Sequence, residues 1–99
     1  MATTTNESAV IFVGVKPVMN YVLAVMTQFN KNVPDVTLKA RGRSISRAVD
    51  TAEIARNRFM PNLKIKNISI GTESIPGDGG ERVNVSSLEI ILTNQPLAE

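Results

Sequence analysis

Two short stretches of the sequence bring positive charge to places where a phosphate group could bind. In "KARGRS", residues 39–44, cations stand on alternate positions around a glycine, and in "GVKP", residues 14–17, a lysine precedes a proline. Guanidinium groups match the oxygens of phosphate, and the N-terminus of a helix favours anions. If both stretches join a strand to a helix, they indicate a phosphate-binding edge. The alternative is a solvated basic edge that keeps a sheet from aggregating.

The stretch at residues 14–17 has a predicted strand before it and a predicted helix after it. The apolar run "AVIFVG", residues 9–14, is typical of a buried strand. Residues 17–30 have the apolar spacing of a helix, and Pro17 is tolerated at its start. Met19 and Leu23 add a second apolar stripe to this helix, which a small sheet covers only in part. The pattern therefore favours self-association.

The stretch at residues 39–44 lies at the end of a predicted strand, residues 36–41, which has one apolar and one basic face. We expect Gly42 to end this strand and Ser44 to cap a helix that Pro61 stops. The apolar positions of that helix follow helical spacing as far as Phe59, which is predicted to be either core or an exposed anchor. The two carboxylates of this helix, Asp50 and Glu53, have arginines nearby, which favours a salt-bridged helix surface over a catalytic pair.

The last third of the chain predicts a hairpin. Two strand-like segments, residues 63–73 and 82–93, surround the glycine-rich connector "SIPGDGG". The alternation slips between Ile65 and Ile68, which indicates a bulge or a twist. The order β-α-β-α-β-β predicts an α+β fold, a four-stranded mixed sheet with two helices on one face. We expect a flexible tail at residues 1–8, one domain at 9–93 with a projecting hairpin at about 72–84, and a C-terminal tail at 94–99.

Composition excludes several kinds of site. The 99 residues suit one domain, and they include no cysteine and no histidine. The commonest zinc ligands and the usual general base at neutral pH are therefore missing, so we expect no enzyme, no metal and no cofactor. No apolar run is long enough to span a bilayer and no signal peptide is recognisable, so we expect a soluble intracellular protein that does not enter membranes.

The charge is unevenly distributed along the chain. Residues 36–66 hold eight cations and two carboxylates, a net charge of +6, whereas residues 67–99 hold one cation and five carboxylates, a net charge of −4. Such asymmetry indicates a directed electrostatic face for an anionic partner.

Three stretches of the chain resemble the Alba family of archaeal chromatin proteins. They are "VGVKPVMNYVLAV", "KARGRSISRAVDTAEIARNRFMP" and "VSSLEI", and with the residues between them the resemblance covers about residues 9–93. It implies a fold like the C-terminal domain of translation initiation factor 3. It also implies a homodimer that coats, compacts or bridges double-stranded DNA with little sequence preference and binds RNA as well. A protein of this kind belongs to the cytoplasm and its nucleoid.

The resemblance also implies roles for particular residues. Lys16, Arg41 and Arg43 would contact the nucleic-acid backbone at the centre of the dimer, with Tyr21 nearby. Phe59 matches the aromatic residue at which family dimers meet side by side on DNA, and residues 72–84 would form the arm that reaches along the groove. The remaining candidates are three further contacts to nucleic acid and a neighbour of the aromatic residue: Lys39, Arg47, Arg82 and Arg58.

Two departures from the family pattern alter these expectations. The family often has "GKKP", whose first lysine is an acetylation target, and Val15 takes that place in this chain. The family arm often carries arginines, whereas this arm has Asp78 and Glu81 beside Arg82. Because phosphate repels carboxylates, we expect the central patch to dominate binding and the arm to add less.

Other functions are compatible with the same residues. An RNA chaperone or a ribonucleoprotein subunit would use the same basic joints. An oligomeric assembly protein could dock an acidic protein partner on the basic face, and the homodimer could be replaced by a heterodimer with a paralogue. An enzyme acting on a phosphorylated small substrate is disfavoured because histidine and cysteine are absent.

Overall fold

A computed structural model describes residues 9–96 of the chain. Its elements are β1 (Ala9–Phe12), α1 (Val18–Asn30), β2 (Asp35–Arg41), α2 (Ile45–Ile54), β3 (Lys64–Pro76) and β4 (Arg82–Thr93). This order confirms the α+β prediction of four strands and two helices. The tail predicted at residues 1–8 lies outside the described residues, as do residues 97–99 of the tail predicted at 94–99. Within residues 9–96, no helix has the length and apolarity needed to cross a membrane.

The four strands form one mixed sheet in the order β1-β2-β4-β3. β1 runs parallel to β2, and β4 is antiparallel to both β2 and β3. Because β1 and β2 are parallel neighbours, their C-terminal ends meet at the same edge of the sheet. The predicted bulge is present, since the register of β3 against β4 shifts between Ile65 and Asn67.

The core lies between the sheet and the two helices, which pack on the same face. β2 and β4 each turn every second residue toward the helices, and these side chains are buried: Val36, Leu38, Ala40, Leu88, Ile90 and Leu92. α2 approaches the sheet closely because it presents Ala48, Ala52 and Ala55, all of them buried. α1 contributes Val22, Val25 and Phe29 to the same cluster, whereas Met19 and Leu23 stay exposed.

The end of α2 departs from the predicted spacing. Residues Ala55–Phe59 form a π-helical turn, closed by the bond from the amide of Met60 to the carbonyl of Ala55 at 2.8 Å. The wider turn rotates the last side chains relative to the buried stripe of α2. As a result, Phe59 is 44% exposed and does not continue that stripe.

Candidate nucleic-acid interface

The two basic joints meet at one edge of the sheet. The loop after β1 and the 3₁₀ turn after β2, Gly42–Ser44, are connected through a single backbone carbonyl. The Ser44 hydroxyl donates to the carbonyl oxygen of Gly14 at 3.2 Å, and the Arg47 guanidinium donates to the same oxygen at 3.3 Å. The parallel pairing of β1 with β2 thus brings Lys16 to the same edge as Arg41 and Arg43.

The bond from Ser44 corrects one expectation. Ser44 precedes α2, but it makes no side-chain capping bond to that helix. Its backbone is already helical, with φ −81° and ψ −6°, whereas a capping residue usually has an extended backbone. The 3₁₀ turn Gly42–Ser44 leads directly into the helix, and the Ser44 hydroxyl instead joins this turn to the loop after β1.

Tyr21 holds the first loop in place. Its hydroxyl accepts hydrogen bonds from the backbone amides of Gly14, at 2.9 Å, and Lys16, at 3.1 Å. The Tyr21 side chain is buried, and it reaches back from the first turn of α1 to the loop that precedes the helix. Both acceptor positions of the oxygen are occupied, so its chief role in this structure is to fix the backbone that carries Lys16.

Replacing Tyr21 by phenylalanine should therefore destabilise the protein. Two part-buried amides would lose their acceptor, which costs about 1–3 kcal/mol of unfolding free energy. Urea unfolding followed by circular dichroism measures the change. Ser44→Ala is the matched control, because Arg47 still donates to the Gly14 carbonyl and the loss should be smaller. Equal stability of Tyr21→Phe and wild type would contradict the role of the hydroxyl.

Two cations at this edge are open to solvent. Lys16 and Arg43 are exposed, and neither has a carboxylate within 4 Å among residues 9–96. Gly42, between the two arginines of the joint, has φ +56°, a conformation that glycine adopts without a steric penalty. This turn separates Arg41, at the end of β2, from Arg43, which lies in the 3₁₀ turn.

The other two cations of "KARGRS" are ion-paired on the sheet. Arg41 contacts Glu73 at 3.1 Å and Lys39 contacts Glu89 at 3.2 Å. All four side chains remain 42–54% exposed. Exposed pairs of this kind contribute little to stability, so a phosphate could replace either carboxylate at small cost.

The remaining candidates lie in three other places. Arg47 is half-buried and joined to the Gly14 carbonyl, so it belongs to the support of the edge. Arg82 lies on the hairpin, where it donates to the backbone carbonyl of Ser74 at 2.7 Å and to its hydroxyl at 3.2 Å. Arg58 and Phe59 are exposed at the end of α2. The structure therefore brings together the central candidates and separates Arg82, Arg58 and Phe59 from them.

The hairpin projects past the edge as a two-stranded arm. The pairing of β2 with β4 ends at Arg41 and Ser87, whereas β4 continues to pair with β3 as far as Pro76 and Arg82. Five residue pairs thus have no further strand beside them, a length of about 17 Å. Asp78 and Glu81 lie at its exposed tip, so the tip is acidic, as the sequence indicated.

Sequence reasoning did not identify the carboxylates that pair with Lys39 and Arg41, nor the exposure of Phe12. Glu73 and Glu89 come from β3 and β4, and only the sheet register places them beside β2. The uniformly apolar run at residues 9–13 predicted a buried strand, whereas in the structure the exposed Val10 and Phe12 alternate with the partly buried Ile11. Phe12 is 74% exposed.

Comparisons with known proteins agree with this architecture. A family model described as Alba matches residues 9–72. "DNA/RNA-binding protein Alba" of Methanocella arvoryzae is 60% identical over 86 residues, which cover 87% of this chain and 90% of that protein. "DNA/RNA-binding protein Alba 1" of Archaeoglobus fulgidus is 59% identical over 85 residues, which cover 86% of this chain and 94% of that protein. The solved structure "Alba from Thermoplasma volcanium" superposes with a TM-score of 0.82 at 55% identity, covering 85% of this chain and 98% of that chain. The chain belongs to the Alba family.

Proposed function

We propose that this protein is a chromatin protein of the nucleoid that binds double-stranded DNA, and also RNA, without catalysing a reaction. The observation that carries the proposal is the meeting of two cationic joints at one sheet edge, where Lys16, Arg41 and Arg43 accompany the start of α2. The names of the relatives, DNA/RNA-binding proteins of 59–60% identity, support the same function.

The proposed contacts go to the nucleic-acid backbone. Lysine and arginine side chains at an exposed edge can reach phosphate oxygens, and such contacts carry no direct sequence information. Weak sequence preference follows from this mode of binding. The acidic tip of the arm is repelled by phosphate, so the arm contributes less than the central edge.

The homodimer is supported by an uncovered apolar surface on β3. Ile68 and Ile70 pair with Ile90 and Leu88, whose side chains face the helices, so the two isoleucines point to the same side of the sheet. α2 packs on β2 and β4 and leaves β3 at the margin, where Ile68 is 54% and Ile70 84% exposed. A second copy of the chain would bury these residues. Two copies would also double the number of basic joints that face one duplex.

Assembly of dimers along a duplex would use a different surface. Phe59 and Arg58 are exposed at the end of α2, beyond the π-helical turn. An exposed aromatic ring beside an arginine is a common composition for a contact between proteins. We assign the side-by-side contact of dimers to these two residues.

A fluorescence-anisotropy titration tests the proposed function. The protein is titrated into labelled duplex DNA and into duplex RNA of matched sequence, and each is repeated with a scrambled sequence. We expect saturable binding to both polymers and equal affinity for the scrambled sequences. Absence of binding to either duplex would contradict the proposal, and the assembly protein with an acidic partner would then be the better explanation.

A further inference from the structure

The sheet face away from the helices carries a cleft that adjoins the basic edge and shares Arg41 with it. The cleft has a volume of about 360 Å³, at the lower end of the range for sites that hold small ligands. Its walls are an aromatic ring and four charged side chains: Phe12, Lys39, Arg41, Glu73 and Glu89. Ser87, a small residue of β4, lies between the charged pairs and leaves the floor open.

Phe12 presents its ring on a rigid support. It is the last residue of β1 and stands opposite Lys39 in the parallel register. The ring is 74% exposed, although Ile11, its neighbour in the strand, packs against the core. A phenyl ring that was needed only for folding would be buried, because leaving it in water forfeits its hydrophobic stabilisation. The exposed ring is therefore available to a ligand with a flat apolar face.

Two ion pairs line the sides of the cleft. Lys39 and Glu89 join β2 to β4 at 3.2 Å, and Arg41 and Glu73 join β2 to β3 at 3.1 Å. Their cations can move from carboxylate to phosphate at small cost, since exposed ion pairs are weak. Their carboxylates can accept hydrogen bonds from the amino groups of a base. The cleft thus offers a stacking surface, phosphate ligands and acceptors within one site.

These properties together fit a nucleotide. An unpaired base stacks readily on an aromatic side chain, and a four-stranded sheet with an exposed aromatic residue is a known platform for single strands. Arg41 lines the cleft and also belongs to the basic edge, so the two sites are continuous. A strand that leaves a duplex bound at the edge can pass directly onto the open face of the sheet.

We propose that the open face of the sheet binds an unpaired base, stacked on Phe12, next to a duplex held at the basic edge. This inference rests on the proposed function, because the edge must first bind the duplex. The protein then distinguishes a blunt duplex from one with a single-stranded extension. The ring has no base preference of its own, since every base has an aromatic face.

A second copy of the chain is the other possible occupant of this face. The charge on the cleft disfavours it, because Lys39, Arg41, Glu73 and Glu89 would be removed from water along with the ring. The isoleucines of β3 provide a more apolar surface for that contact. Coverage of Phe12 by a second copy is nevertheless an outcome that the experiment can detect.

The test compares a blunt DNA duplex with the same duplex carrying a short single-stranded extension. For the wild type, the extension should raise affinity about tenfold through stacking of one base. Phe12→Tyr keeps an aromatic ring and should retain this gain. Phe12→Leu keeps an apolar side chain without a ring and should lose it, while blunt-duplex affinity stays unchanged in both variants. Retention of the gain in Phe12→Leu would overturn the proposal.

A spectroscopic variant detects the stacking directly. The chain contains no tryptophan, so the tryptophan emission of Phe12→Trp reports on position 12 alone. The extension should quench this emission and the blunt duplex should not. Equal emission with both probes, or a change of oligomeric state in Phe12→Leu by light scattering, would overturn the proposal. Failure of wild type to bind the blunt duplex would instead remove the proposed function, so the two failures are distinguishable.

Discussion

Replacing Arg41 and Arg43 by alanine is expected to lower duplex affinity by about 10- to 100-fold at moderate salt. Each arginine can make charge-assisted hydrogen bonds to phosphate, and the expected range corresponds to about 0.7–1.4 kcal/mol per arginine, because a tenfold change in affinity is about 1.4 kcal/mol. Loss of Arg41 also releases the carboxylate of Glu73, 3.1 Å away, which then faces the duplex without its partner. The slope of log K against log salt should fall by about 2, because two phosphate contacts are lost. Fluorescence anisotropy measures both quantities.

A matched control removes the same charge from the opposite end of the sheet. Lys31 follows α1, and Lys64 begins β3 opposite Thr93, at the far end of β4 from the basic edge. Lys31→Ala/Lys64→Ala should therefore bind the duplex almost as wild type does. If the two double variants lose affinity equally, binding depends on net charge alone and the basic edge is not a localised phosphate-binding site.

The second large effect is expected from Ile68→Ser/Ile70→Ser. These side chains are mostly exposed in the single chain, so the variant should fold with nearly unchanged stability. It should nevertheless be monomeric in sedimentation equilibrium, because the proposed dimer surface is removed. Duplex affinity should fall more than tenfold, since two linked basic edges bind with higher effective concentration than one.

Phe59→Ala serves as the control for this experiment. Phe59 lies at the end of α2, so its replacement should leave the dimer intact and reduce only the cooperativity of binding to long DNA. A dimeric Ile68→Ser/Ile70→Ser protein would contradict the dimer proposal. A monomeric Phe59→Ala protein would show that the end of α2, and not the margin of β3, holds the dimer together.

Much of the fold followed from local patterns in the sequence. The alternation of Val36, Leu38 and Ala40 with polar residues predicted β2 and its buried face, which the structure confirms. Gly42 was expected to end that strand, and its positive φ shows why glycine is favoured there. The slip after Ile65 was visible because a bulge changes the side-chain alternation along a strand.

Features that depend on contacts between distant elements could not be predicted in this way. The order of the strands decides which carboxylates face Lys39 and Arg41, and nothing local in β2 specifies it. The Ser44 hydroxyl had a local role available as a cap, but the Gly14 carbonyl lies within its reach only because β1 and β2 are parallel neighbours. The π-helical turn that exposes Phe59 likewise has no signal in the apolar spacing.

The candidate site likewise combines features predicted from local sequence with features that depend on contacts between distant elements. The two joints were identified by composition, since their cations and glycines stand between a strand and a helix. That they meet at one edge depended on the parallel pairing of β1 and β2, which the element order made plausible. The support that Tyr21 gives to the loop carrying Lys16 is visible only from its two hydrogen bonds in the structure.

The most direct test of the central claim is the salt dependence of wild-type binding to a DNA duplex. If a dimer neutralises about six phosphates, the slope of log K against log salt should be about −5. Fluorescence anisotropy over a range of potassium chloride concentrations measures it. A steep linear slope of this size supports binding through the phosphate backbone. An affinity that does not change with salt would contradict it.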